Sequence, residues 1–212
     1  MNPTFVHLRL HSEYSITDGI VRLDEAIAAA VQDRMPALAL TDLGNVFGLI
    51  KFYKDARASG VKPIAGCDLW ITNDADRDKP HRLLILCQSH AGYLKLCELL
   101  TRAYRSNRYR GRAEVNKAWF QETGTEGLIA LSGAHQGDVG QALIADNAAL
   151  AARLAQQWAA WFPDRYYLEV QRLGQQAMTS GAASVPVEAH GQRAVRLAAE
   201  RGLPVVATHP VQ

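Results

Sequence analysis

The sequence predicts an α/β fold, with short apolar strands alternating with amphipathic helices in a closed or nearly closed barrel. Three observations carry that expectation. Of the 212 residues, 48% are hydrophobic and 21% charged, enough apolar material for one sizeable core in a single domain. Apolar runs of strand length recur between stretches with helical spacing, the signature of βα units with mostly parallel pairing. About seven such runs occur, which suits a barrel better than a small open sheet.

The elements follow in order. Residues 6–10 read as the first strand, because Phe5, Leu8 and Leu10 interleave with His7, Arg9 and His11. A helix over 24–34 opens on acidic residues, as the helix dipole favours, and stops before Met35 and Pro36. Residues 37–41 form the second strand, and the helix over 46–59 is followed by Gly60, placed for a left-handed C′ position. Strands over 62–71 and 82–87 come next, then a helix over 91–104 and a strand over 127–131. Helices over 138–145 and 148–161, a strand over 166–171, a helix over 187–201 and a strand over 203–207 complete the set. Residues 174–186, rich in Gly, Ser, Gln and Ala, read as a loop. No internal repeat is visible.

Composition narrows the function classes. A formal net charge of +2 makes no strong case for nucleic acid by the chain as a whole. Cys67, Cys87 and Cys97 form no CxxC pair, which points to a reducing compartment. No signal peptide or apolar run near the roughly 20 residues of a membrane span is present, so a cytoplasmic location with no membrane partner is expected. The sequence stops at "VVATHPVQ", directly after a strand, which suggests a fragment of a longer protein.

The chemistry-bearing residues cluster by position. In an extended segment His7, Arg9 and His11 share one face. Alternating imidazoles often deliver ligands to one metal, but the guanidinium of Arg9 offers no lone pair. His11 and Asp18 follow the first strand, Asp42 the second, Asp68 lies late in the third, His135 follows the fifth and His209 the last. In βα barrels these are the positions of the functional mouth. His7 and His11 read either as metal ligands or as histidines hydrogen-bonded near Glu13 or Asp18. Arg9 reads as the partner of Asp18, Asp42 or Asp68, standing in for a cation. Asp18, ahead of Gly19, could equally be a turn residue. Residues 102–117 carry Arg102, Arg105, Arg108, Arg110 and Arg112 with Tyr104 and Tyr109, either a phosphate-contacting stretch or a solvated helix end and loop. Trp158 and Trp161 read as core anchors. Cys67 faces away from Asp68 in a strand and reads as a buried thiol rather than a ligand.

The segments "HLRLHSEYSITDG", "ALALTDLGNVFGLIKFY", "GVKPIAGCDLW", "LIALSGAHQGDVG" and "RGLPVVATHPV" resemble, in this order, the polymerase-and-histidinol-phosphatase (PHP) domain. More narrowly, they are similar to the PHP domains at the amino end of bacterial replicative polymerase (DNA polymerase III) alpha subunits. The likeness covers essentially the whole chain, residues 1–212, as one domain. It implies a distorted seven-stranded βα barrel within a much larger DNA-directed DNA polymerase, a nucleotidyltransferase whose Mg-dependent active site lies in other domains. Metal-competent members hold cations at the barrel mouth. By that resemblance, His11, Asp18, Asp68 and His81 remain as residual ligand candidates. Arg9 and Leu43 replace histidines, Ala134 a cysteine, Pro210 an aspartate and Gln212 a histidine, so no high-affinity metal and no catalytic residue is expected. The resemblance implies a scaffold that joins the rest of the alpha subunit, docks the proofreading exonuclease (epsilon) subunit, and meets primed DNA through the whole protein. The alternative is a metal-dependent phosphoesterase or 3′–5′ proofreading nuclease using zinc or manganese, with His135 and His209 as substitute ligands.

Overall fold

A computed structural model describes residues 5–171 and 184–211, and side chains in all of these except 184–189. The fold is mixed α/β, with eight strands and seven α-helices among the described residues. The strands are β1 (Ala37–Leu40), β2 (Lys62–Ile71), β3 (His81–Cys87), β4 (Arg108–Tyr109), β5 (Arg112–Val115), β6 (Leu128–Leu131), β7 (Tyr166–Gln171) and β8 (Val205–Thr208). The helices are α1 (Leu23–Gln32), α2 (Leu49–Ala58), α3 (His90–Ser106), α4 (Ala118–Thr123), α5 (Asp138–Ile144), α6 (Ala148–Trp161) and α7 (Ser184–Arg201).

The strand path is β4-β5-β2-β3-β6-β7-β8, with β1 on β2. The β1–β2, β6–β7 and β7–β8 pairs are parallel as expected, but β2–β3 and β3–β6 are antiparallel. The reason lies in the nine residues joining β2 to β3, too few for a crossover helix, which needs a dozen or more. Reversing β3 has a functional consequence. It brings the start of that strand, His81 and Arg82, to the end of the sheet where β2, with Trp70 opposite Arg82, finishes.

The first predicted strand, 6–10, does not form as a regular strand. It is an extended segment with a single bridge, Leu10 to Val211. The Thr41 hydroxyl takes the Leu10 N–H at 3.0 Å, in place of a ladder carbonyl. The segment still donates order to both sides: Ala39 N–H bonds the His7 carbonyl, Thr41 N–H the Leu10 carbonyl, and His11 N–H the Val211 carbonyl, each at 2.9 Å. Hydrogen bonding therefore runs from β1 through residues 7–11 to residue 211, just past β8. One apolar cluster collects Leu8, Ala39, Ile64, Leu84, Leu131 and Val206, one side chain from almost every segment along this path.

The helices cover the outside. Burial of Leu96, Leu99, Phe120, Trp158 and Phe162 joins α3, α4 and α6 to the sheet in the largest core cluster. Trp158 is a core anchor whose indole N–H donates to both carboxylate oxygens of Asp138, at 3.0 and 3.1 Å. Trp161 stands edge-on to it, with ring centroids 5.1 Å apart. A second cluster packs α1 and α2 onto Leu10, Leu38 and Leu40. Gly60 takes φ +78° after α2, while Val61 N–H returns to the Ala56 carbonyl at 2.9 Å, the closing turn its position predicted. The β4–β5 hairpin and α4 were not anticipated. Residues 174–183 of the predicted loop lie outside the described residues, and residues 184–186 belong to α7 instead.

Candidate functional site

The site begins with the alternation of residues 7–11. Arg9 is 3% exposed, His11 is fully buried, and both reach the same carboxylate, Asp68, late in β2. Asp68 is fully buried as well, opposite Leu84 of β3. Arg82 chelates it, with Nε 3.1 Å from Oδ1 and Nη2 2.6 Å from Oδ2. On its other edge Arg9 forms a two-pronged pair with Glu169 of β7, both N···O distances being 2.9 Å. The Thr208 hydroxyl, at the end of β8, donates to Glu169 Oε1 at 2.6 Å. Two guanidiniums thus neutralise two fully buried carboxylates.

The network extends outward through His11. Its Nδ1 lies 3.0 Å from Asp18 and its Nε2 3.2 Å from Asp68. Asp18 also accepts from the Ser15 hydroxyl at 2.7 Å, and Ser15 in turn accepts from Leu43 N–H at 2.9 Å. Asp18 is therefore more than a turn residue. Gly19 is required beside it, because a Cβ there would stand 1.9 Å from the Ser12 carbonyl oxygen. Asp42 is held apart from Arg9, accepting from Ser12 N–H at 2.7 Å and its hydroxyl at 2.9 Å.

Electrostatics follow from burial and partners. Burial favours neutral Asp68, yet Arg82 and Arg9, with the His11 hydrogen bond, hold its carboxyl well below the ordinary range. Burial opposes the charged form of Arg9, and Asp68 and Glu169 more than restore it. Burial likewise opposes protonated His11, but hydrogen bonds to Asp18 and Asp68 raise its pKa. Burial raises Asp42, despite its two bonds from Ser12. Burial and the charge of Arg9 lower His135.

Among the predicted site residues, then, Arg9, His11, Asp68 and Asp18 come together. Of the three carboxylates expected for Arg9, only Asp68 pairs with it, because Asp42 is taken by Ser12 and Asp18 by His11 and Ser15. Glu169 and Arg82 were missed by sequence reasoning. The signal was present: a carboxylate flanked by Leu168 and Val170, and an arginine opening the apolar run from Leu83. His7 lies outside the cluster, its ring edge-on to Phe5 at 4.9 Å and 6.3 Å from His209. His81 faces a cleft of about 620 Å³ with Trp70, Lys79, Lys117 and Asp138 rather than bonding Asp68. Leu43 and Ala134 are buried and apolar, Ala134 in the turn after β6. Pro210 follows His209 as a partly buried residue, and Gln212 lies outside the described residues. The Cys67 thiol is fully buried and donates to the Asp42 carbonyl at 3.2 Å.

This donor set does not fit a divalent cation. Guanidiniums occupy the carboxylate oxygens a cation would take, both nitrogens of His11 already face carboxylates, and Leu43 offers no lone pair. Among the described residues no three His, Cys, Asp or Glu side chains are grouped so as to hold a metal ion. Nor is any described helix long and apolar enough to cross a membrane.

The basic stretch divides on inspection. Arg112 turns inward, 3.2 Å from fully buried Glu114 and 2.7 Å from the Arg77 carbonyl, so it is not an outward phosphate contact. Arg110 pairs with Asp78 at 2.8 Å with both side chains about half exposed or more. Arg105 and Arg108 are exposed, and neither has a carboxylate partner among the described residues.

Comparison with known proteins places this chain in a family. The chain is 47% identical over 211 residues to the DNA polymerase III subunit alpha of Neisseria meningitidis, covering 99% of this chain and 18% of that protein. It is 39% identical over 210 residues to the subunit of the same name from Escherichia coli, covering 99% of this chain and 17% of that one. The chain therefore spans less than a fifth of the length of these relatives. A solved amidohydrolase from Chromobacterium violaceum shares the fold at a TM-score of 0.58 and 15% identity, over 97% of this chain and 87% of that one. The PHP domain family matches residues 7–173, and with that the assignment is plain: the chain belongs to the PHP domain family.

Proposed function

We propose that this PHP domain is a catalytically silent scaffold of a replicative DNA polymerase alpha subunit and a docking site for the proofreading exonuclease. The observation that carries the reading is the buried Arg9–Asp68–Arg82 and Arg9–Glu169 network. Hydrolysis of a phosphodiester by this fold class relies on closely spaced metals to activate water and to neutralise phosphate. Here fixed organic cations do the neutralising, and they supply neither a water nor an open coordination position. What the network does provide is a rigid tie between residues 7–11, β2, β3, β7 and β8. A scaffold needs such rigidity, and full burial means that it does not compete with a partner for the surface.

Polymerisation itself belongs to other parts of such a subunit, with magnesium as the metal there, and the expected setting is the cytoplasm. The competing phosphoesterase or nuclease reading draws on the surviving His11–Asp68–Asp18 chain. Calorimetric titration of this chain with the exonuclease subunit tests the docking. A saturable one-to-one complex is expected, and no heat of binding at micromolar concentrations would overturn it.

A further inference from the structure

We propose that the edge formed by the end of α3 and the β4–β5 hairpin binds the phosphate backbone of duplex DNA through Arg105, Arg108 and Arg110. The charge distribution is the first ground. Residues 102–117 hold six cations and a single carboxylate, so the formal +2 of the chain is more than accounted for here and the remainder is net acidic.

The structure then decides which of these cations are available. Arg102 is taken by Glu122 at 2.5 Å and stacks on Trp119, Arg112 is taken by buried Glu114, and Lys117 by Asp138. Arg105 and Arg108 remain exposed without a carboxylate partner among the described residues. Arg110 lies 5.5 Å from the Tyr109 ring centroid and pairs with Asp78, an exposed ion pair of the kind that contributes little and can be exchanged for a phosphate.

The three cations are also pre-positioned. Arg110 and Gly111 take φ values of +47° and +84°, a tight two-residue turn that fixes the hairpin, with Arg108 opposite Ala113 and Tyr109 opposite Arg112. The guanidinium of Arg77 sits 4.7 Å from the Tyr109 ring centroid and is itself paired with Glu114 of β5 at 2.9 Å. Arg108 and Arg110 flank Tyr109, and Arg105 lies in the last turn of α3, which leads into them.

The chemistry of the patch selects the partner. Between residues 102 and 112 the large exposed hydrophobic is Tyr104 alone, at 42%. A protein partner is held by a buried apolar anchor, whereas a phosphate backbone needs fixed cations and nothing else. Binding of this kind is independent of sequence and steeply weakened by salt. It does not depend on the exonuclease docking, which is measured separately.

Fluorescence anisotropy of a labelled duplex, titrated with the 212-residue chain at several salt concentrations, tests this. With three phosphates neutralised, the slope of log affinity against log salt is about −2.7, or roughly a 40-fold loss between 50 and 200 mM salt. Arg105→Ala, Arg108→Ala and Arg110→Ala should each lower that loss to about 12-fold, while the lysine replacements keep it near 40-fold. Arg196→Ala, an exposed position on α7, should change nothing. Unchanged circular dichroism melting of each variant separates lost contacts from lost folding. The proposal is overturned if the duplex does not bind at 50 mM salt, or if the triple alanine variant binds like the unaltered chain. It is overturned equally if polyglutamate binds this edge and the duplex does not.

Discussion

Removing the guanidinium of Arg9 strands a charge, and the size of the effect can be worked from its partners. In Arg9→Ala, Asp68 keeps Arg82 and His11, so its compensation survives in large part. Glu169 does not fare as well. It is fully buried, and of its side-chain donors among the described residues the Thr208 hydroxyl alone remains. Breaking a buried pair by deleting one partner typically costs about 3–5 kcal/mol, a large share of the roughly 5–15 kcal/mol that holds a domain together. Urea unfolding at pH 8 reads the loss. Adding Glu169→Gln to Arg9→Ala should recover more than half of it, because the neutral amide no longer strands a buried charge. An unchanged midpoint for Arg9→Ala, or no recovery in the double variant, would refute the reasoning.

His190, on α7, is 2% exposed with no partner for its Nδ1 among the described residues, and burial lowers its pKa from 6.5 to about 4. Because the folded pKa is depressed, its stabilising contribution is present above pH 6.5 and is lost as the pH falls toward 4, about 3 kcal/mol in all. Melting temperatures between pH 7 and 4 should fall accordingly, and His190→Phe should flatten that decline; an equal decline in the variant contradicts the assignment. Gly19→Ala places a Cβ 1.9 Å from the Ser12 carbonyl oxygen and should lower stability by about 1–3 kcal/mol, read by urea unfolding. A neutral result would mean that the turn holding Asp18 relaxes freely.

Much of the fold was legible because local signals agree with it. The full spans of β2, α6 and β7 follow from apolar length and capping, as Asn147 shows by accepting the Leu150 N–H at 3.0 Å. The antiparallel β3 was not legible, since strand direction depends on how the nine linking residues turn rather than on the apolar run itself. The β4–β5 hairpin escaped notice because its strands are two and four residues long and carry charged residues, whereas apolar alternation is what marks a strand. At the site, Arg9 was legible as an oddity among alternating histidines. Its main partner Glu169 stands 160 positions away, and no local pattern links two such residues. Arg82 was hidden for a related reason, since its place at Asp68 follows from the reversal of β3.

The central claim is that guanidiniums occupy the place of metals at this site. Elemental analysis of chelator-free protein, paired with an assay of phosphodiester hydrolysis, tests it most directly. The account predicts far less than one zinc or manganese per chain and no hydrolysis. It predicts the same for Arg9→His, because Arg82 still chelates Asp68 and Leu43 still supplies no ligand. Stoichiometric zinc or manganese in the unaltered chain, with hydrolysis that a chelator abolishes, would contradict it.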